Sequence, residues 1–360
     1  IVATVLVFAY TFSETLRIRH FLVFEALRST SLDGVFTHPL NATPLVIFLG
    51  RPLASLRLDF ASTMLVMANM VALYVVVVAL LRHLRLPIDG PLPLAATAVA
   101  VISHPVRDTL MGGHWTLIFL ALIVADVFLP TVRWPRGLLS GIAVALGGGW
   151  PLLSAVAAFS ALKNYRAIGI VLGSCAASFG LGFVVARETT LSYLHTLWHW
   201  PETILAALTG TINNTAYAMV ARALGGSSTL SWLIMVVVVL AVAHFAAQRA
   251  GDQYVAAAFG LCLPALVLPY STATVWVLLL PLVVLLARWN PIAAAFGAYL
   301  LWFEWFPGRL DYIYGGIRGE WWLPPFEVFA SAPALYLLVL MLLSLGGKIA
   351  QPSTGTLAKK

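Results

Sequence analysis

The sequence predicts an all-α polytopic membrane protein, a single bundle of about 10–11 transmembrane helices with one broken re-entrant hairpin and outer interfacial helices. Three observations predict it. Of the 360 residues, 61% are hydrophobic and only 10% charged, whereas a soluble domain carries about 25% charged residues. The apolar residues gather into runs, several near the roughly 20 residues that a bilayer crossing needs. The lysines and arginines of the short connections fall in alternate gaps, the bias that orients a chain in a membrane. The net charge of +7 is explained by that bias and requires no nucleic acid. Cys175 and Cys262 both lie inside apolar runs, so they read as small buried hydrophobes rather than a disulfide.

Residues 1–12 read as the end of a first span. The chain opens on Ile1 in the middle of a hydrophobic run, so its true N-terminus is expected to lie upstream and no targeting signal is assigned. A polar segment, 13–58, carries Glu14, Glu25, Asp33 and several bases, with an amphipathic piece from Leu16 to Leu27 suited to the interface. Spans are expected at 60–81, 91–104, 114–130, 167–186, 229–248, 253–268, 272–287, 290–303 and 330–346. Residues 1–346 form one domain, and 347–360 a cytoplasmic tail.

The run 137–161 has basic residues at both ends, Arg133 and Arg136 before it, Lys163 and Arg166 after it. A segment with both ends cytoplasmic does not cross. Its centre reads Gly147-Gly148-Gly149-Trp150-Pro151, where glycine frees the backbone and proline forbids helix continuation. Two half-helices that dip in and return are expected, with a kinked crossing as the alternative. Such a break needs protein or water cover, as at the binding sites of transporters. With the hairpin not crossing, Arg82, Arg85, Arg249, Arg288 and the C-terminal lysines fall on the cytoplasmic side with its two basic ends. The polar loops 13–58, 105–113, 187–228 and 304–329 fall outside. Asp126, near the inner end of its span, is read as structural with a partner.

The outer loops hold the chemistry-bearing groups. Asn213, Asn214, Thr215, Tyr217 and Arg222 follow an aromatic run. Carboxamides donate and accept at once, which suits sugar hydroxyls, and a guanidinium suits a phosphate. A polar loop capping a helix is the plainer reading of the same residues. In 105–116, Arg107, Gly112-Gly113 and His114 could meet a phosphate or a sugar hydroxyl, or His114 could simply anchor a helix end. Tyr270, Ser271 and Asp311 add hydroxyl and carboxylate groups at the same border. Neither a nucleotide-binding loop nor metal-ligand spacing is present, so neither a soluble nucleotide donor nor a metal or other cofactor is assigned.

Several stretches carry a family resemblance. These are Thr43-Pro44 with Arg51-Pro52-Leu53, Gly113-His114-Trp115-Thr116, Asn213-Asn214-Thr215 through Arg222, Leu268-Pro269-Tyr270-Ser271, and Leu279-Leu280-Pro281. In their order along nearly the whole chain they resemble glycosyltransferase family 87, membrane enzymes of the glycosyltransferase-C superfamily. Two positions depart from its pattern. Glycines fill the hinge where a lysine commonly precedes the proline, and Thr274-Val275 replaces a histidine pair.

The resemblance implies a glycosyltransferase-C-like fold and a multi-pass plasma-membrane enzyme with its site on the extracytoplasmic face. It implies transfer of mannose or arabinofuranose from a polyprenyl-phosphate sugar to a glycolipid or lipoglycan acceptor among membrane lipids. An inverting transfer needs a carboxylate base. Glu14 is the first candidate by its distance from Thr43-Pro44, with Asp33 and Glu25 behind it. The local Val23-Phe24 pattern would instead put His20 at the family's acidic position. Arg107, His114 and Arg222 are implied phosphate ligands; Asn213, Asn214, Thr215, Tyr270, Ser271 and Asp311 are implied sugar ligands. A catalytically silent scaffold and a flippase of lipid-linked sugar are the alternative functions.

Overall fold

The computed structural model describes residues 43–45, 58–129, 134–195, 215–224, 229–249, 251–268, 273–302 and 332–345. Among these residues every regular element is helical. In order they are α1 (Leu58–His83), α2 (Leu92–Ile102), α3 (His104–Met111), α4 (Thr116–Phe128), α5 (Leu138–Gly147), α6 (Gly149–Ala161) and α7 (Tyr165–Val185). A helical stretch at 187–195 follows. Then come α8 (Ala216–Leu224), α9 (Thr229–Arg249), α10 (Gln253–Val267), a 3₁₀ turn Ala273–Leu278 leading into α11 (Leu279–Trp289), α12 (Pro291–Trp302) and α13 (Ala332–Leu345).

Among the described residues three helices are long and apolar enough to cross a bilayer alone: Phe60–His83, Tyr165–Val185 and Leu230–Arg249. The other apolar helices run 10–17 residues, about 15–26 Å at 1.5 Å per residue. Proline and glycine account for much of the shortening. α2 starts behind Pro91, Pro291 opens α12, and Gly148 separates α5 from α6. The stretch expected as an outer loop at 105–113 is partly a helix, α3, with Pro105 in its first turn, where the missing N–H costs nothing.

α10 is the centre of the bundle, buried at every residue from Val255 to Val267. Gly260 lets it meet α6 backbone to backbone: a Cβ there would lie 2.7 Å from the Ala157 carbonyl carbon. The Ser154 hydroxyl donates to the Leu261 carbonyl at 2.8 Å, joining the same two helices. α7 and α9 stand at the periphery, with only 17% of their apolar windows buried, against 56% for α1.

Helix directions follow the loop charges. The His83 ring lies 5.3 Å from Phe128 and 4.3 Å from Tyr254, so the end of α1, the end of α4 and the start of α10 share one level. The Trp232 indole donates to the Val267 carbonyl, which makes α9 and α10 antiparallel. Arg249 donates to the Leu345 carbonyl at 2.7 Å, bringing the ends of α9 and α13 together.

Residues 137–161 fold as two half-helices that turn back on each other. A Cβ on Gly137 would lie 2.6 Å from the Ala167 carbonyl oxygen, and one on Gly141 would press on Ser174. The Ser178 hydroxyl donates to the Ala145 carbonyl at 2.7 Å. α5 and α7 therefore run side by side in the same direction. α6 must come back from the hinge for α7 to begin, so the base of α5 and the end of α6 lie at the same level. The arms are about 15 and 20 Å long, and the hinge lies level with the start of α4 and the last third of α7.

Candidate functional site

The site is assembled around the tip of the hairpin. Gly148 takes φ 71° and ψ −125°, a conformation open in practice only to glycine. A helix end leaves its last carbonyls without intrahelical partners. Here Thr43 supplies them: its N–H donates to the Leu146 carbonyl at 3.1 Å, and its hydroxyl lies 2.8 Å from the Ala145 and 3.1 Å from the Leu146 carbonyl. A Cβ on Gly148 would sit 3.2 Å from Thr43 Cγ2 and 3.5 Å from the Tyr193 hydroxyl; one on Gly147 would strike Phe119 and Pro151. Tyr193 is buried, its ring 5.8 Å from Phe179. Thus 43–44, the top of α4, the hinge, the end of α7 and the 187–195 helix converge.

α3 leads into the start of α4, whose Phe119 packs at this tip. Pro105, Val106, Thr109 and Leu110 form the buried face of α3. His104, Arg107, Asp108 and Met111 form the opposite, partly open face. His104 and Asp108 pair on it at 3.6 Å. Among the described residues no hydrogen bond or ion pair reaches the half-buried guanidinium of Arg107.

The Gly-Gly-His sequence ends this helix in a Schellman turn. Gly113 supplies the positive φ, 68°, the Gly112 N–H donates to Asp108, and the His114 N–H donates to Thr109 at 3.1 Å. The His114 ring folds back over Gly112, where a Cβ would come within 2.6 Å of it. Asn69, fully buried in α1, donates from Nδ2 to the His114 carbonyl at 3.0 Å and to Leu65 at 3.1 Å. Backbone bonds on both sides therefore fix the place of His114. Among the described residues three buried polar atoms at this corner lack a partner: Asn69 Oδ1, Trp115 Nε1 and Trp276 Nε1. Trp276 belongs to the 3₁₀ turn that packs on α3. Buried polar atoms are normally satisfied, so such orphans mark a place for a ligand or water.

Arg107 and His114 thus share the corner formed by α3 and the start of α4. Thr215 is fully buried and its hydroxyl accepts from the Ala218 N–H at 3.0 Å, capping α8. That bond gives Thr215 the helix-capping duty of the plainer reading. Arg222 lies on α8, its side chain outside the described residues. Glu14, Glu25, Asp33, Asn213, Asn214, Tyr270, Ser271 and Asp311 also lie outside them. The sequence reading missed Asn69 and Tyr193. A lone carboxamide within a membrane span is a costly residue, and that signal was available for Asn69. Asp126 has the structural role expected of it: the Gly137 and Ser140 N–H groups donate to its carboxylate at 2.9–3.1 Å.

No solved structure matches the chain. It is 29% identical over 279 residues to a polyprenol-phosphate-mannose-dependent alpha-(1-2)-phosphatidylinositol mannoside mannosyltransferase of Mycobacterium tuberculosis, covering 71% of this chain and 62% of that protein. The protein of the same name in Mycolicibacterium smegmatis is 30% identical over 293 residues, with 71% and 62% covered. A pentamannoside mannosyltransferase of M. smegmatis is 25% identical, with 75% and 66% covered. The chain thus spans about three-fifths of the length of the first two. The model of glycosyltransferase family 87 matches residues 36–269, from ahead of the Thr43 cap to beyond α10, and this chain belongs to that family.

Proposed function

We propose that the protein is a membrane glycosyltransferase that moves a sugar from a polyprenyl-phosphate donor to a lipid-anchored glycan on the extracytoplasmic face. Mannose is the first choice of sugar and arabinofuranose the second. The acceptor hydroxyl attacks the anomeric carbon, the bond from that carbon to phosphate oxygen breaks, the hydroxyl proton passes to a carboxylate, and polyprenyl phosphate leaves. Glu14 is the proposed base, with Asp33 and Glu25 as substitutes. No metal or other cofactor is assigned to the step.

The observation that carries this reading is Arg107, a half-buried cation unengaged among the described residues, on the helix that ends in Gly112-Gly113-His114. A preorganised cation helps most where charge builds on a leaving phosphate. The three polar orphans on α1, at the start of α4 and in the 3₁₀ turn supply acceptor and donor atoms suited to a sugar. Support for the donor class comes from the relatives, whose names specify polyprenol-phosphate-mannose. Asn213, Asn214, Thr215, Tyr270, Ser271 and Asp311 are proposed to hold sugar, and Arg222 to hold phosphate with Arg107 and His114.

The test is transfer in vesicles given labelled polyprenyl-phosphate mannose and a phosphatidylinositol mannoside acceptor. Wild type forms a new glycolipid. Arg107→Ala lowers turnover by about 100-fold or more, and Glu14→Gln abolishes it. Full transfer by Arg107→Ala overturns the phosphate assignment. Label crossing the bilayer without a new glycosidic bond overturns the enzyme in favour of a flippase. The glycine hinge without a lysine favours a second reading, a silent scaffold, which predicts a folded wild type with no transfer.

A further inference from the structure

The geometry points to a binding site for an anionic phospholipid on the basic side of the bundle, at the opposite end of α6 from the hinge. The hinge and this rim are about 20 Å apart along α6, and the site makes no use of the transfer residues. A cavity of about 550 Å³ lies between α6, α9 and α10, within the roughly 300–1,000 Å³ of ordinary ligand pockets. Its lining is graded along the membrane normal. Leu153 on α6, Leu240 on α9, and Leu263 and Val267 on α10 line the deep end. Lys163, Tyr165, His244 and Gln248 line the end at the rim. A lipid has that same polarity, one charged end and one apolar end.

Three further observations fix the chemistry of the occupant. First, α9 faces outward, with 17% of its apolar window buried, so the cavity borders lipid rather than the protein core. Second, its rim is cationic. Lys163 is exposed at φ 55°, in the tight turn between α6 and α7. Arg166, exposed one turn further on, adds positive charge at the same level without lining the cavity, and Arg249 is turned to the Leu345 carbonyl at the foot of α13. Of the acids at this level, Asp252 is engaged as the N-cap of α10, accepting from the Tyr254 N–H at 2.7 Å, and Asp126 takes the N–H groups at the base of α5. Third, the His244 ring and the Gln248 carboxamide meet at 2.9 Å, a polar pair in place to hold headgroup oxygens. Basic pockets between membrane helices beside the loops richest in lysine and arginine take anionic headgroups.

The experiment uses the full chain purified in detergent. Phosphatidylglycerol and phosphatidylcholine with identical tails are added separately, and thermal unfolding and native mass spectra are recorded. Phosphatidylglycerol should raise the midpoint by about 3 °C or more above phosphatidylcholine and stay bound as a discrete adduct. Lys163→Glu should abolish the difference by putting a carboxylate where the cation would hold the headgroup. Ala247→Trp should abolish it by filling the cavity, and Lys163→Gln should weaken it should either of these fail to fold. Equal shifts with the two lipids overturn the proposal, as does an undiminished response in Lys163→Gln. A shift with polyprenyl phosphate but none with phosphatidylglycerol also overturns it and gives the cavity to the donor lipid.

Discussion

The two ends of α5 are secured by opposite means. At its base, Asp126 from α4 takes the Gly137 and Ser140 N–H groups on a buried carboxylate. At its tip, Thr43 and Ser178 reach the last carbonyls with neutral hydroxyls and one amide. The helix dipole explains the order of the charges, since a carboxylate is stabilised at an N-terminus and donors are needed at a C-terminus. The strengths differ as well. Bonds to a charged group are worth about twice those between neutral groups. The base is therefore an anchor, and the tip is held by bonds that can be exchanged. On the proposed function, a half-helix whose tip meets the donor needs that asymmetry.

Removing the anchor has the largest expected effect. Asp126→Ala leaves two buried N–H groups without an acceptor, and each such loss costs about 1–3 kcal/mol. Thermal unfolding of the detergent-purified variant should show a drop of several degrees or no folded protein. Asp126→Asn keeps the shape and one accepting oxygen, and should fall between. An Asp126→Ala variant with the wild-type midpoint would show that the base is not the anchor.

The glycines at the two ends of α5 give the next contrast. Gly137 and Gly148 both have positive φ, 96° and 71°; alanine strains Gly137, which is left-handed helical, by about 1–2 kcal/mol, and Gly148, whose ψ of −125° lies outside that region, by up to about 3 kcal/mol. Space separates them. A Cβ on Gly137 meets the Ala167 backbone at 2.6 Å, whereas one on Gly148 meets the Thr43 methyl at 3.2 Å. Backbone cannot yield and a side chain can, so Gly137→Ala should lower the unfolding midpoint more than Gly148→Ala. Gly148→Ala should instead show its effect in transfer rate. The reverse order of stabilities would place the rigid point at the tip.

Much of this was legible in the sequence because a membrane imposes so few solutions. Basic residues on both sides of 137–161 forced a return, and Gly147-Gly148-Gly149 with Pro151 marked where it turns. Asp126 declared a partner by its cost alone. The partners themselves were not legible: that Thr43 lies on α5, about 100 residues away in the chain, is a tertiary fact with no local signal. α3 was hidden for another reason. Its eight residues are polar on one face, and Gly-Gly-His reads as a loop until the Schellman bonds are seen. Family resemblance pointed to Thr43-Pro44 and Gly113-His114 without saying why such residues are needed. The hinge cap and the helix stop supply the reasons. The proposed carboxylate bases lie outside the described residues, so for them the sequence remains the whole argument.

The smallest effect, and the sharpest test of the asymmetry, is Thr43→Val. The substitution keeps the shape and the backbone N–H while removing one hydroxyl. The Leu146 carbonyl still receives the residue 43 N–H, and the Ala145 carbonyl still receives Ser178. No carbonyl loses every partner, so the stability loss should stay within about 1 kcal/mol, a few degrees at most in midpoint. The hinge would nevertheless be less defined, because the hydroxyl that spans both carbonyls is gone. Transfer from a lipid-linked donor should therefore fall by a larger factor than stability accounts for, with Thr43→Ser restoring it. If Thr43→Val unfolds as readily as Asp126→Ala, the tip is as much an anchor as the base, and the hinge is not the adaptable end of the hairpin.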